Sequence, residues 1–488
     1  MSNTIAQNLA RLQTARTNIG NAIVERGGTV AQGDGFEDFP YAILNIPNRL
    51  IYGFTIDPSE SDPYDAVTYI EDAVGMTPAS MGTTSFDYGS WPNAWFMPKP
   101  CMLKYDGTVD YYLDPTDFSK KLDGTASDYN NLAYAGNVMI EFPKIWFKTF
   151  MQNGKPTFLM SNYKVDNTYH CWSNIDSQNN ETDHFYLAAY NGCIYDGKLR
   201  SISGLTLASW VTTAYSASST YAVGDKVNYR DKMYKCITAV ETAEAFDESK
   251  WEQYAFSGNT DGTQEVNAAT AMNQNNAVEW YIDTFVDRVL INCLLTLIGK
   301  SLDTQGTFGR GIDTGSQTGK EAYVTGSLND KGMFYGSTAN GTTAVKVFGI
   351  ENWFECCWRR TAGLVGASDG FLWKLTYNNA DGSTATAYNS TGSGYNKESR
   401  TKPASNYLKE VVFGNFGFLP KTTGSPATST TYFCDYHYTG NGFAFFGGYA
   451  GYGAYAGAWC LSLTNTFGTR GWYIAAAPSC KPLGRSNV

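Results

Sequence analysis

Asn441-Gly-Phe-Ala-Phe-Phe-Gly-Gly-Tyr-Ala-Gly-Tyr-Gly-Ala-Tyr-Ala-Gly-Ala-Trp-Cys460 sets aromatic rings between glycines and alanines. Small residues let the backbone turn tightly, and rings without long charged neighbours offer flat, stiff faces that bind at low entropic cost. The stretch therefore reads as a recognition surface or an unusually tight core. If strand alternation holds, Phe446 faces away from Phe445 and joins the surface, while Phe443 and Phe445 belong to the core, as does Trp472 further on.

Composition narrows the function. The chain has 488 residues, 36 Lys and Arg against 46 Asp and Glu, and 34 Tyr among 15% aromatic residues. An acidic balance argues against a nucleic-acid footprint and against an anionic membrane surface. Abundant Tyr and Gly point to turn-rich β structure and ring-mediated binding. The most apolar run, Val289 to Ile298, is too short to span a bilayer, so no membrane insertion is expected. The amino terminus shows no basic region followed by an apolar core, which leads us to expect folding in a cytosol with the ten cysteines as thiols. With three histidines and no C-x-x-C, neither metal nor cofactor is expected.

In chain order, Ile5, Leu9, Leu12, Ile19 and Ile23 recur at steps of four and three, with Arg16 at the missing step. This seam predicts a helix that oligomerises as a coiled coil, ended by Gly27-Gly28. A short helical patch follows over Tyr41 to Ile46. From Leu50 short apolar segments alternate with turn residues. Val138 to Phe150 predicts a strand pair bent at Pro143, Tyr186 to Tyr195 a further strand, and Asn276 to Leu302 one long internal helix. Asn378 to Asn406 reads as exposed loops.

Trp210 to Tyr254 stands apart as a small β module. The order Trp210, then Tyr221-Ala-Val-Gly-Asp-Lys-Val-Asn-Tyr229, then Tyr234 and Trp251, resembles the small carbohydrate-binding modules attached to chitinases and cellulases. That resemblance implies sugar stacking by Tyr215, Tyr234 and Trp251. Where the family carries tandem tryptophans this chain has Lys235-Cys-Ile-Thr238, which leaves sugar binding and a spacer role both open.

A second resemblance covers most of the rest. Gln32-Gly-Asp-Gly-Phe-Glu-Asp-Phe39, Met139-Ile-Glu-Phe-Pro-Lys-Ile-Trp-Phe147, Lys198-Leu-Arg-Ser-Ile-Ser-Gly204, Gly349-Ile-Glu-Asn-Trp-Phe354, Gly447-Gly-Tyr449 and Ala456-Gly-Ala-Trp459 follow one another in an order that resembles tail-tip proteins of bacterial viruses with a C-type-lectin-like domain. It implies an α+β fold: an N-terminal oligomerising helix and attachment segment (1–50), a lectin-like domain with short twisted strands in two parts (51–205 and 259–488), and the small all-β insertion (206–258). It further implies a homotrimeric receptor-binding protein at a tail fibre or baseplate, made in the host cytoplasm and carried on the virion beside other tail proteins. In part of that family a retroelement diversifies the terminal segment, and Tyr449, Tyr452, Tyr455, Ser462 and Asn465 suit such positions. The calcium-and-sugar motifs of animal lectins are absent.

The expected receptor-binding set is Tyr436, His437, Asn441, Phe446, Tyr449, Tyr452, Tyr455, Trp459, Ser462 and Asn465, the receptor being a glycan or a protein. A structural tail component without receptor contact is the alternative from another class. Enzymatic readings are weaker. A thiol pair would use Cys460 with Cys480 or Cys434, a glycan depolymerase two of Glu351, Asp369 and Asp435, and His170, His184 and His437 lack a nucleophile signature.

Overall fold

The structure is a computed structural model and describes residues 4–25, 30–44, 49–207, 211–274, 278–312, 323–424 and 433–482. Gly27-Gly28, Trp210 and the predicted helix start at Asn276 lie outside the described residues.

The fold is α+β, with strands dominating. Helix α1 (Ile5–Glu25) leads to the short α2 (Phe39–Leu44), close to the predicted patch. Ile23 packs with Phe39, Ala42 and Val30, and Arg16 donates to the Asp34 carbonyl, so the lower end of α1 is fastened to its own hairpin. The rest of the seam is not: Ile5 is 89% exposed, Leu9 and Leu12 56%, and Ile19 39%.

Two large sheets carry the body. In the seven-stranded one the order is Val278–Ile282, Pro478–Pro482, His184–Ala188, Gly136–Pro143, Lys99–Lys104, Val109–Asp114 and Asp117–Lys121. The last strand of the chain is thus threaded between two others, with Cys480 opposite both Tyr186 and Trp280. A nine-stranded sheet gathers the C-terminal half. Its centre runs Trp358–Ala367, Phe443–Phe446, Leu461–Ser462, Tyr436–Tyr438, then Asn406–Gly414 paired to Gly417–Gly424. A four-stranded sheet joins Val67–Glu71, Ile51–Ile56, Lys155–Ser161 and Trp146–Gln152.

Four sequence expectations change here. Val138 to Phe150 does form two strands broken after Pro143, but they do not pair with each other. Gly136–Pro143 pairs with Lys99–Lys104 and His184–Ala188, whereas Trp146–Gln152 enters the four-stranded sheet. Pro lacks the donor that a continuing ladder needs, and the chain crosses between sheets there. Tyr186 to Tyr195 is likewise split, into His184–Ala188 and the separate hairpin strand Cys193–Tyr195. The predicted long helix begins as a strand. Val278-Glu-Trp-Tyr-Ile282 is rich in β-branched and aromatic residues and pairs with the distant Pro478–Pro482. A short helix α3 (Gly262–Thr270) precedes that strand, and helix α4 then covers Phe285–Gly299 only. The 378–406 tract, expected to be loop, buries Tyr388 and Tyr395 and adds the edge strand Asn396–Ser399.

All fifteen residues of α4 are buried, its polar ones included. Arg288 and Asn292 are tied to their surroundings. The Arg288 guanidinium lies 3.7 Å over the Trp353 ring, donates to the Trp353 carbonyl at 2.6 Å, and shares Asp283 with Arg359. Asn292 accepts from Trp353 Nε1 at 2.9 Å and donates to the Ala458 carbonyl at 2.7 Å. Asp287 accepts from Thr284 Oγ1. A buried polar group costs stability unless bonded, so these bonds explain how Asp287, Arg288 and Asn292 sit in a core, whereas the Thr296 hydroxyl is buried there without a hydrogen bond among the described residues.

The inserted module forms a three-stranded antiparallel sheet, Lys226–Tyr229, Lys232–Cys236 and Trp251–Gln253. Arg230 and Asp231, both at positive φ, make the two-residue turn that suits strand twist. Val227, Tyr234, Cys236, Val240 and Trp251 are its own small core, while Met233 reaches into the body core beside Ile194 and Phe256.

Candidate functional site

The strand Tyr436-His-Tyr438 alternates, as a strand must: Tyr436 and Tyr438 turn outward and His437 turns in. Tyr407 lies directly across from Tyr436 on the neighbouring strand, its ring 5.3 Å away. Downstream, Tyr449, Tyr452 and Tyr455 are spaced by three through successive tight turns, in which the Tyr452 amide donates to the Tyr449 carbonyl and the Tyr455 amide to that of Tyr452. Side chains three apart eclipse in such turns, so all three rings fall on one side. The Tyr449 and Tyr452 rings are 4.1 Å apart, Tyr452 and Tyr438 5.7 Å, and Tyr455 and Tyr436 4.9 Å. Trp472 and Tyr473 extend the row beyond Tyr449 at 5.6 and 5.0 Å. The result is one continuous band of eight rings, Tyr407, Tyr436, Tyr438, Tyr455, Tyr452, Tyr449, Tyr473 and Trp472. All are partly accessible, and Tyr455 is 40% exposed. Buried Trp358 backs the middle of the band, 5.6 Å from Tyr452.

A bonded frame holds this band. Thr304 Oγ1 accepts from the Ala458 amide and Asn292 donates to the Ala458 carbonyl, while Gln305 Nε2 donates to the Gly453 carbonyl and to Glu355. Asp435 accepts from the Trp459 amide at 2.7 Å. Gly457, at φ +149°, lies so close to Asp435 that a Cβ there would meet its Oδ1 at 2.1 Å, which explains that glycine. Burial first, then neighbouring Asp303, pushes the Asp435 carboxyl well above the carboxylate range. Burial also raises the Tyr449, Tyr452 and Tyr438 phenols, and Tyr407 is pushed up to about 12. At neutral pH these four phenols are therefore uncharged, and they offer hydroxyl donors and acceptors beside apolar ring faces.

Of the expected receptor-binding residues, Tyr436, Tyr449, Tyr452 and Tyr455 come together here. Asn441 is exposed and accepts from Lys402, and Asn465 is half-buried, its carbonyl accepting from the Phe443 amide. The remaining four are interior. Phe446 packs against Phe285 and Phe418, and Trp459 against Phe418 and Phe433. Ser462 is buried against Thr464, and His437 is buried beside Thr439 Oγ1, with burial pulling its imidazole down to about 4. Phe446 is inside because α4 covers the second face of its strand, so alternation there separates two cores and not core from solvent. Tyr407, Tyr438, Trp472 and Tyr473 escape a reading of the sequence. Tyr438 was available from alternation about His437, whereas Trp472, expected in the core, reaches the band only through the turn that binds the Tyr473 carbonyl to the Trp358 amide.

In the module, Tyr234 and Trp251 are buried in its core, and Tyr215 is clasped by Tyr221, Phe246 and Trp251, its hydroxyl bonded to the Glu244 carbonyl. These three rings pack the module and do not present a platform. The groups weighed for catalysis are dispersed. All ten cysteines are buried and none forms a disulfide, and burial raises the Cys460 and Cys480 thiols. Glu351 accepts from Tyr323 and two backbone amides, while Asp369 is bonded at the surface to Lys397. His170 stacks on Trp172, and His184 lies 3.8 Å from Glu141. Among the described residues no cluster of His, Cys, Asp or Glu is arranged to hold a metal, and no helix is long and apolar enough to cross a membrane. No protein-family model matches this chain, and no curated protein matches it.

Proposed function

We propose that this chain is a receptor-binding protein of a bacterial virus, a C-type-lectin-like body at a tail fibre or baseplate that attaches the virion to a host cell-surface receptor through the tyrosine band. The observation that carries the reading is the band itself: eight contiguous, partly exposed rings without a charged side chain among them, set on a hydrogen-bonded frame. Monomeric surfaces seldom leave such a patch without use. Tyrosine supplies large, rigid contact area with few rotors and a polar tip, and sugar rings present C–H faces that such rings stack on. A glycan receptor fits this chemistry. The Tyr-x-x-Tyr-x-x-Tyr spacing on glycine-rich turns also suits retroelement diversification, since side chains there change without touching the frame.

The free seam of α1 supports assembly as a homotrimer on the virion, next to other tail proteins. Three copies would present three bands and multiply a weak single-site affinity. The test is adsorption of virions carrying Tyr452→Ala with Tyr455→Ala. Intact particles that no longer adsorb support the reading. Particles that fail to assemble would move the role to a structural tail component, and unimpaired adsorption would remove the band from attachment.

A further inference from the structure

A second cleft, sharing no residue with the tyrosine band, opens between the loop 132–135 and the hairpin formed by Cys193–Tyr195 and Lys198–Arg200. Its volume is about 480 Å³, and the rings of Tyr105, Tyr134 and Tyr195 line it. That size lies in the range of ligand sites rather than of packing defects.

Arg200 builds the cleft. It is buried and donates to the carbonyls of Leu132 at 3.0 Å, Tyr134 at 2.9 Å and Gly136 at 3.0 Å, and to Asn137 Oδ1 at 3.3 Å. One guanidinium thus clamps the loop wall to the hairpin wall while its carbon centre lies 5.7 Å from the Tyr105 ring. Lys198 Nζ lies 5.9 Å from the same ring.

The charge balance here runs opposite to that of the chain. Asp196 is the one carboxylate among the described lining residues, and Lys232 of the inserted module claims it at 2.6 Å. Every hydrogen-bond acceptor of Arg200 is neutral, and Lys198 and Arg200 share with Lys232 the field of the single carboxylate Asp196. Three cations, Lys198, Arg200 and Lys232, thus stand around one carboxylate, an excess of two positive charges in a protein of net charge −10. Nearby Asp110 does not relieve them, being held by Lys104 at 2.6 Å and by the Tyr134 hydroxyl.

We propose that this cleft binds an acidic saccharide, a pyranose bearing a carboxylate. The ring faces of Tyr134 and Tyr195 take the sugar, and Lys198 is the point charge that meets the carboxylate. A bare anion would need the cations without the rings, and a neutral sugar would leave the cations without a counter-charge. The ion pair between Asp196 and Lys232 gives the inserted module its place in this arrangement: it neutralises the acid that would otherwise repel the ligand.

The test is saturation-transfer NMR on the full chain with hexagalacturonate, and with cellohexaose as the neutral control of equal length. Saturation transfer into the uronate, at least about tenfold weaker for cellohexaose and for the Lys198→Glu variant, is expected. Tyr134→Ala should weaken it as well. Tyr455→Ala should leave it unchanged, which separates this site from the band. Lys198 is half-exposed, so its replacement is expected to leave the melting temperature in place. The proposal is overturned by absence of transfer from the wild-type chain, by equal transfer to both sugars, or by undiminished transfer with folded Lys198→Glu.

Discussion

Tyr455 and Trp459 stand four residues apart, and the structure assigns them opposite duties. Trp459 is fully buried between Phe418 and Phe433. Truncating a buried tryptophan removes its transfer energy and leaves a cavity, so Trp459→Ala should cost about 3–5 kcal/mol of stability. Tyr455 is 40% exposed, and its ring contacts are Tyr407 at 5.2 Å, Tyr436 at 4.9 Å and Tyr452 at 6.2 Å. Aromatic pairs contribute about 0.5–1.5 kcal/mol each when well packed, and these are half in water, so Tyr455→Ala should cost about 1 kcal/mol. At about 2 cal/mol/K per residue, the unfolding entropy of a chain this long makes 1 kcal/mol worth about 1 °C. Calorimetry should therefore show Trp459→Ala melting about 3–5 °C lower and Tyr455→Ala within about 1 °C of the parent. Cell binding should reverse the order: Tyr455→Ala should weaken attachment by about thirtyfold, as a central tyrosine of a binding surface does. Trp459→Ala, measured well below its melting point, should bind more nearly like the parent. Equal melting losses, or a binding loss confined to Trp459→Ala, would refute the division of this segment into band and core.

Other outcomes follow from the same geometry. The His437 imidazole, held at about 4 against an ordinary 6.5, favours folding only while neutral. Its contribution is complete above pH 6.5 and is lost as pH falls toward 4, at most about 3 kcal/mol; His437→Gln should flatten that acid limb in a pH series of urea melts, and an unchanged limb would reject the assignment. Because burial raises the Tyr407, Tyr438, Tyr449 and Tyr452 phenols, the contribution of these four rings to receptor binding should be level from pH 6 to 9, and a titration in that window would place a charged group in the contact. Asn292→Ala strands Trp353 Nε1 and the Ala458 carbonyl in the core and should cost about 2–5 kcal/mol, read by calorimetry. Leu9→Asn with Leu12→Asn should lower the solution mass by light scattering while circular dichroism keeps the body fold; an unchanged mass would release α1 from assembly.

What the amino-acid sequence determined by itself was local and periodic. Steps of four and three drew α1, the ring order from Tyr221 through Tyr229 and Tyr234 to Trp251 marked out the inserted module, and the tyrosines spaced by three singled out the segment that bears the band. These signals survive because neighbours in sequence produce them. Tertiary structure decided which rings face water. Phe446 and Trp459 have the same composition around them as Tyr452 and Tyr455, yet α4 and the Gly417–Gly424 strand roof the first two and leave the others open. The strand character of Val278–Ile282 depended on a partner two hundred residues later, and the separation of Gly136–Pro143 from Trp146–Gln152 depended on which sheet had room. The second cleft likewise exists only because Arg200 reaches back to carbonyls some sixty-five residues earlier. Burial is a property of what covers a residue, and the cover here comes from the far end of the chain.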